Sequence, residues 1–404
     1  MPRFGRLARF DALALASLVW FLATFLRYAF PPLFGTLEGT YGVSRATLGA
    51  AFTGFMLVYA LMQFPSGLLA DRLGSVKVVV AGALLASAGA LVLVVDSPFL
   101  VLAAAMVLMG AGTGAHKTVS VRLLSRVYPE RTGRALGVFD TVGTFGGVAA
   151  PAAVVVALAA PGVFGAGWRT LFLAGGLVGV VLALAFLVRV PARLRASGNV
   201  EPSAESGADT SPWTYVTMFA DPRFSAFVAV TVLFSFAYNG AVAFLPLFLT
   251  EEAGLAAATA NLLFSVLFVV SLVQLVTGEA SDRVGSLPVL TLTLGLASAG
   301  LLATLLPADL TGPAVLSVAV VCLGLGAHGY RPVRGAYLTS IVPPSVAGGS
   351  LGVVRTLLMG SGAIAPAIVG YLSETAGFRP AFWLLAAALV SATCLCGLLW
   401  LFDR

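Results

Sequence analysis

Seven charged side chains lie inside long apolar stretches of this 404-residue sequence. One is an acid, Asp140, and six are cations, namely Arg27, Lys117, Arg122, Arg331, Arg334 and Arg355. A charge placed in an apolar, membrane-like interior is costly, so each must face a counter-charge or water. Because a guanidinium binds a carboxylate or phosphate through two parallel hydrogen bonds, the excess of cations favours an anionic ligand.

The only two histidines, His116 and His328, each end a Gly-x-Gly-Ala-His motif inside an apolar run. An imidazole exchanges protons near neutral pH, and its nitrogens can donate to or accept from a ligand. We therefore predict that both histidines carry protons or bind substrate. The alternative is hydrogen bonding between packed helices.

Arg27 lies in the segment FLRYAFPPL, where two prolines disturb the next turn and leave backbone groups for a ligand. The corresponding segment 211 residues later, FAYNGAVAFLPLF, offers Tyr238 and Asn239 as hydrogen-bonding groups. A structural pairing of Arg27 and simple aromatic packing are the alternatives. The predicted substrate-binding residues are Arg27, His116, Tyr238, Asn239, His328 and Arg334.

Arg122 and Asp140 fall in neighbouring apolar runs, so a salt bridge between them is expected. The counterpart of Asp140, found 215 residues later, is Arg355, which leaves the second half of the chain with uncompensated positive charge. Two interpretations stay open. In the first, Asp140, Arg122, Arg334 and Arg355 form ion pairs with one another or with Asp71. In the second, Asp140 takes up and releases a coupling proton.

The elements that carry these residues are membrane spans. The sequence is 59% hydrophobic and 10% charged, whereas soluble domains carry about 25% charged residues. About 20 apolar residues in a helix cross the hydrocarbon core. We predict an all-α polytopic membrane protein with spans at 11–35, 46–70, 76–96, 98–127, 134–160, 168–190, 224–250, 257–281, 286–306, 312–341, 347–375 and 378–402.

The distribution of basic residues predicts the orientation. With cytoplasmic termini, fourteen Lys and Arg residues lie on the inner side and three, Arg45, Arg169 and Arg379, on the outer side. The excess of positive charge inside favours this arrangement. We expect a multi-pass protein of the cell membrane with both termini in the cytoplasm.

The two halves of the chain repeat one another. The pattern Gly67, Asp71, Arg72, Gly74 recurs 211 residues later as Gly278, Asp282, Arg283, Gly285, and the histidine motif recurs at 212. We expect two pseudo-symmetric six-helix bundles, 1–192 and 223–404, joined by a cytoplasmic linker at 193–222 that is rich in Ser, Gly and Glu.

The segments GLLADRLGSVK and PERTGRALG resemble signature loops of the major facilitator superfamily. The resemblance implies two bundles around a central cavity that opens alternately to each face. It also implies that Asp71 meets the positive end of span eleven, with Gly67 and Gly74 allowing a close helix contact and a tight turn. The predicted gating and coupling residues are Gly67, Asp71, Arg72, Gly74, Arg122, Asp140, Asp282, Arg283 and Arg355.

The function expected from these features is secondary active transport of a small, anionic organic solute, coupled to a proton or another ion. Efflux of hydrophobic drugs is the alternative, although span five lacks the Gly-Pro pair frequent in exporters of that superfamily. A transport-derived sensor is a further class, but the sequence offers no sizeable soluble signalling domain. No HExxH or Walker motif is present, and no enzyme activity, cofactor or metal is predicted. Lipid and substrate are the expected partners, nucleic acid is not, and a monomer is the expected state.

Overall fold

The computed structural model describes residues 10–162, 165–196, 218–306, 312–342 and 347–403. These residues form helices and no strand. Twelve helical segments within them are long and apolar enough to cross a membrane, in agreement with the sequence prediction.

Spans one to six belong to the first half of the chain. Their helices are Asp11–Tyr28 with Phe30–Tyr41, Arg45–Leu73, Ser75–Val92, Phe99–Gly114 with His116–Val127, Thr132–Ala159 and Gly167–Ala196. Span one is interrupted at Ala29, where Pro31 and Pro32 occupy the first turn of the second helix. Proline is tolerated there because the first backbone N–H groups of a helix have no intrahelical acceptor.

Spans seven to twelve follow in the second half. Their helices are Pro222–Glu251, Ala257–Val269 with Val273–Val284, Ser286–Ala303, Pro313–Ile341, Ala347–Thr375 and Phe378–Phe402. A 3-10 turn, Val270–Leu272, separates the two helices of span eight. Span ten is one continuous helix, whereas span four is divided at Ala115.

The chain divides into two compact units. The first comprises 1–43 and 54–205, and the second comprises 44–53 and 206–404, so the beginning of span two packs with the second unit. Within that unit Arg45 pairs with Glu251, and Glu374 accepts from the Ala46 N–H at 3.1 Å. The greater part of the predicted linker 193–222 lies outside the described residues, and the linker stays a prediction.

The repeated glycines Gly74 and Gly285 form the turns after spans two and eight. Their φ angles are 91° and 93°, in the region that residues with a side chain rarely adopt. The tight turn predicted at Gly74 is therefore present. The close helix contact predicted at Gly67 stays a prediction.

One helix contact shows the internal repeat directly. In the first unit the Thr24 hydroxyl of span one donates to the Gly143 carbonyl of span five at 2.5 Å. In the second unit the Ser235 hydroxyl of span seven donates to the Leu358 carbonyl of span eleven at 2.6 Å. The donors are 211 residues apart and the acceptors 215. Asp140 and Arg355 therefore occupy equivalent places, as the sequence predicts.

The contact between spans three and four gives a different offset. A Cβ atom at Gly112 would lie 2.5 Å from the Gly82 carbonyl oxygen, so the backbones approach closely only because of the glycine. Gly326 occupies the same place in the second unit, against the Thr293 carbonyl. Gly82 of span three and Thr293 of span nine are 211 residues apart. Gly112 of span four and Gly326 of span ten, however, are 214 residues apart.

The offset of 214 corrects two predicted equivalences. His328 corresponds to Gly114 rather than to His116, and His116 corresponds to Tyr330. With the same offset, Arg334 is not the repeat equivalent of Arg122 either. The sequence match failed because glycines recur at every second position from 110 to 114, so a slip of two residues still aligns glycine with glycine.

Candidate functional site

Arg27 of span one lies among tyrosines in the first unit. Its guanidinium carbon is 4.7 Å from the ring centre of Tyr28 and 5.0 Å from that of Tyr59 in span two. One of its N–H groups also approaches the Tyr28 hydroxyl at 3.4 Å. Aromatic faces stabilise a cation by about 0.5–2 kcal/mol without neutralising it. The surroundings of Arg27 in the first unit therefore include two tyrosine rings that stabilise its positive charge.

Asp140 pairs with Lys117, not with Arg122. The ammonium of Lys117 lies 3.2 Å from the carboxylate and 5.1 Å from the ring centre of Trp20. The Lys117 and Asp140 side chains are 33% and 55% exposed. The predicted Arg122–Asp140 salt bridge is therefore wrong, because Lys117 is on the turn of span four that faces Asp140.

Arg122 instead pairs with Asp71 at the end of span two. Their side chains are 38% and 25% exposed, so the pair is partly solvated. This contact bears out one of the predicted pairings of the intramembrane charges with Asp71. The predicted meeting of Asp71 with span eleven stays a prediction.

His116 is buried where spans three and four pack together. A Cβ atom at Gly82 would lie 3.1 Å from its Nε2, and apolar residues such as Leu26 and Ala86 line a small cavity beside it. No ionised side chain contacts its ring among the described residues. These surroundings fit the packing alternative, and a substrate or proton role for His116 stays a prediction.

The richest cluster of the second unit surrounds Arg331 on span ten. Its guanidinium carbon lies 4.6 Å from the ring centre of Tyr238, and its terminal nitrogen lies 3.4 Å from His328 Nδ1. The His328 ring meets Tyr238 and Phe268 edge-on, with centroids 6.1 and 5.9 Å away. The structure thus brings together two predicted residues, His328 and Tyr238, around a cation that was not in the predicted site.

Arg334 lies one turn further along span ten. Its guanidinium carbon is 5.8 Å from the ring centre of Tyr330, whose hydroxyl is 3.3 Å from the Thr231 hydroxyl. Among the residues that the structure describes, neither Arg331 nor Arg334 forms a salt bridge with a carboxylate. Two half-buried cations therefore sit side by side without a counter-ion from the described part of the second unit.

The remaining predicted residues have other contacts or are exposed. Asn239 donates to the Ser235 carbonyl at 2.9 Å, which occupies part of its amide. Arg283 pairs with Glu279 one turn earlier on the same helix, so Asp282 is not its partner. Arg72, Asp282 and Arg355 are exposed.

The predicted site omitted five contributors, Trp20, Tyr59, Lys117, Tyr330 and Arg331. Three are aromatic residues in apolar helices, where aromatic side chains are common, and only their contacts with cations distinguish them. Lys117 was visible as an intramembrane cation. Its repeat equivalence to Arg331 could not be seen, because the histidine motif suggested an offset of 212 residues between the halves instead of 214.

Comparison with known proteins decides the family. A family model of the Major Facilitator Superfamily matches residues 16–330 and 249–404. The chain belongs to the Major Facilitator Superfamily. It is therefore a multi-pass membrane transporter for small solutes and not an enzyme, and the resemblance seen in the sequence is confirmed.

Two relatives of this superfamily member align along most of its length. The probable sulfoacetate transporter of Cupriavidus necator is 24% identical over 406 residues, covering 96% of this chain and 92% of that protein. The D-galactonate transporter of Escherichia coli is 24% identical over 394 residues, covering 88% of this chain and 87% of that protein.

Solved structures support the fold. The crystal structure of a bacterial homologue of the human lysosomal transporter Spinster covers 98% of this chain and 98% of its own, with a TM-score of 0.76 and 17% sequence identity. At this identity the likeness supports the twelve-helix architecture and carries no information on the substrate.

Proposed function

We propose that this superfamily member is a secondary active transporter of a small organic anion, which it moves by alternating access using a proton or co-solute gradient. The observation that carries the proposal is the pair Arg331 and Arg334 on span ten. Both lie against aromatic rings, and no described carboxylate pairs with either. A desolvated cation without a counter-charge is costly, and an anionic solute supplies that charge.

The aromatic contacts shape the kind of anion. The rings of Tyr238 and Tyr330 lie near the guanidinium groups of Arg331 and Arg334, and the edge of a guanidinium carries its hydrogen-bond donors. A planar carboxylate or a sulfonate can meet that edge with two oxygens. Sulfoacetate and D-galactonate, the solutes named for the two relatives, are organic anions with such groups.

The remaining parts of the proposal follow the sequence predictions. We place the protein in the cell membrane with both termini in the cytoplasm, and the 193–222 segment as the linker between the halves. Arg27 in the first unit is a second candidate for anion contact, supported by its position among tyrosines. The Asp71–Arg122 pair and the Lys117–Asp140 pair are the candidates for gating.

The test is uptake of radiolabelled anions into proteoliposomes, with Arg331→Lys as the informative variant. Lysine keeps the charge but loses the planar fork, and a charge-assisted hydrogen bond contributes about 1.5–3 kcal/mol. We expect uptake at limiting anion concentration to fall at least about tenfold. Arg223→Gln is the matched control, because Arg223 is exposed and pairs with Asp403 at 2.9 Å near the chain end.

Two results would count against the proposal, the first against anion transport and the second against the role of Arg331. One is strong transport of a cationic drug with no anion moved, which would favour the efflux alternative. The other is equal anion uptake by Arg331→Lys, Arg331→Gln and the control variant, which would remove Arg331 from the substrate pathway.

A further inference from the structure

A histidine shares the buried cluster around Arg331, and the two side chains cannot act independently. His328 and Arg331 are three residues apart on span ten, so they lie on the same face of the helix. His328 is fully buried, and the nitrogen that faces Arg331 is Nδ1, at 3.4 Å. Because arginine only donates hydrogen bonds, a neutral His328 must accept at Nδ1 and carry its proton on Nε2.

The other groups around His328 add no competing charge. Span seven presents Tyr238, and span eight presents Phe268 together with the backbone of Leu267. Span nine presents Thr293, which faces the next residue of span ten, Gly329. Arg331 is therefore the one charged side chain of the described residues that contacts this histidine.

Protonation of His328 changes what Arg331 can do. An imidazolium has a proton on both nitrogens, so Nδ1 no longer accepts from the guanidinium, and that donor becomes available to another acceptor. The two positive charges then repel unless an anion lies beside them. An anion on Arg331 favours the proton on His328, and the proton favours the anion.

We propose that His328 is the proton-coupling residue of the anion site, taking up one proton for each anion that Arg331 binds. The step breaks an O–H bond of a hydronium ion and forms an N–H bond at Nδ1 of the neutral imidazole, and it releases water. The inference rests on the proposed transport of organic anions and makes that transport a proton symport. It assigns no such role to His116, which contacts no described arginine.

The wild-type protein provides the first test. The purified full-length chain, in detergent and in weakly buffered solution with a pH-indicating dye, is mixed with sulfoacetate or with D-galactonate. We expect uptake of about one proton per anion bound. Reciprocal linkage then requires the anion to bind about tenfold more tightly for each unit by which the pH is lowered.

Variants of the two histidines separate coupling from packing. His328→Gln keeps a polar group that can accept from Arg331 but cannot take up a proton, so anion binding should continue without proton uptake and without pH dependence. His116→Gln replaces the other buried histidine, and both signals should remain as in the wild type. Thermal melting of each purified variant checks that it is folded.

The outcomes distinguish this inference from the proposed function. Anion binding by the wild type that is independent of pH and takes up no proton overturns the coupling role while leaving anion transport in place. Proton uptake that survives in His328→Gln, or disappears in His116→Gln, also overturns it. If neither anion binds at any pH and neither is transported, the proposed function fails and the coupling role fails with it.

Discussion

A substitution at Gly326 tests the packing that positions Arg331 and His328. A Cβ atom there would overlap the backbone of span nine at Thr293 and Ala297 and would lie 2.7 Å from the Ala297 Cβ. Backbone atoms cannot rotate away as the end of a flexible side chain can. Gly326→Ala must therefore push span ten away from span nine, and the displacement reaches Arg331 along the same helix.

The expected magnitude follows from two opposing terms. Overpacking a close contact costs about 1–3 kcal/mol, and replacing glycine by alanine within a helix returns about 1 kcal/mol. The net destabilisation is then up to about 2 kcal/mol. For a folding unit of about 200 residues, this lowers the melting temperature by several degrees.

The assay compares thermal melting of the purified variants in detergent. Gly360→Ala is the matched control in the same unit, because a Cβ atom there would touch no described residue within 4 Å. Gly360→Ala should melt at or above the wild-type temperature. A Gly326→Ala protein that melts like the control would refute the close contact and the 214 offset derived from it.

Two further predictions concern the ion pairs of the first unit. Asp71→Asn and Arg122→Asp should each reduce anion uptake, because each removes the ion pair. The double variant Asp71→Arg with Arg122→Asp exchanges the two charges and should restore uptake. Uptake that stays low in the double variant would contradict a role for the ion pair. Asp140→Asn should change stability by less than about 1 kcal/mol, because the Lys117–Asp140 side chains are 33% and 55% exposed. It should also leave pH-dependent anion binding intact, and loss of that pH dependence in a binding titration would assign the coupling proton to Asp140.

The sequence was sufficient to predict the number of membrane spans, the family and the repeat. Long apolar runs and a glycine turn such as Gly74 are local properties, so they can be identified without knowing any contact. The equivalence of Asp140 and Arg355 was also visible, because Pro151 and Pro366 fix the offset of 215 between spans five and eleven.

The partners of the charged side chains could not be predicted from local sequence patterns. Lys117 and Arg122 lie about one and a half turns apart on span four, and which of them meets Asp140 of span five depends on how the two helices are rotated. The same rotation decides that Tyr238 covers Arg331. Side-chain direction on a uniformly apolar helix leaves little trace in the sequence, since the usual alternation of polar and apolar faces is weak in spans.

The corrected offset gives the charges of the two units a common explanation. Lys117 and Arg331 occupy equivalent positions, and so do Asp140 and Arg355. In the first unit the cation on span four meets a carboxylate at 3.2 Å, whereas in the second unit the position of that carboxylate holds an arginine. The second unit therefore lacks, at this position, the counter-charge that the first unit contains. An anionic solute at Arg331 would supply it, and a proton on His328 would allow the site to bind an anion of higher charge without leaving the cluster unbalanced.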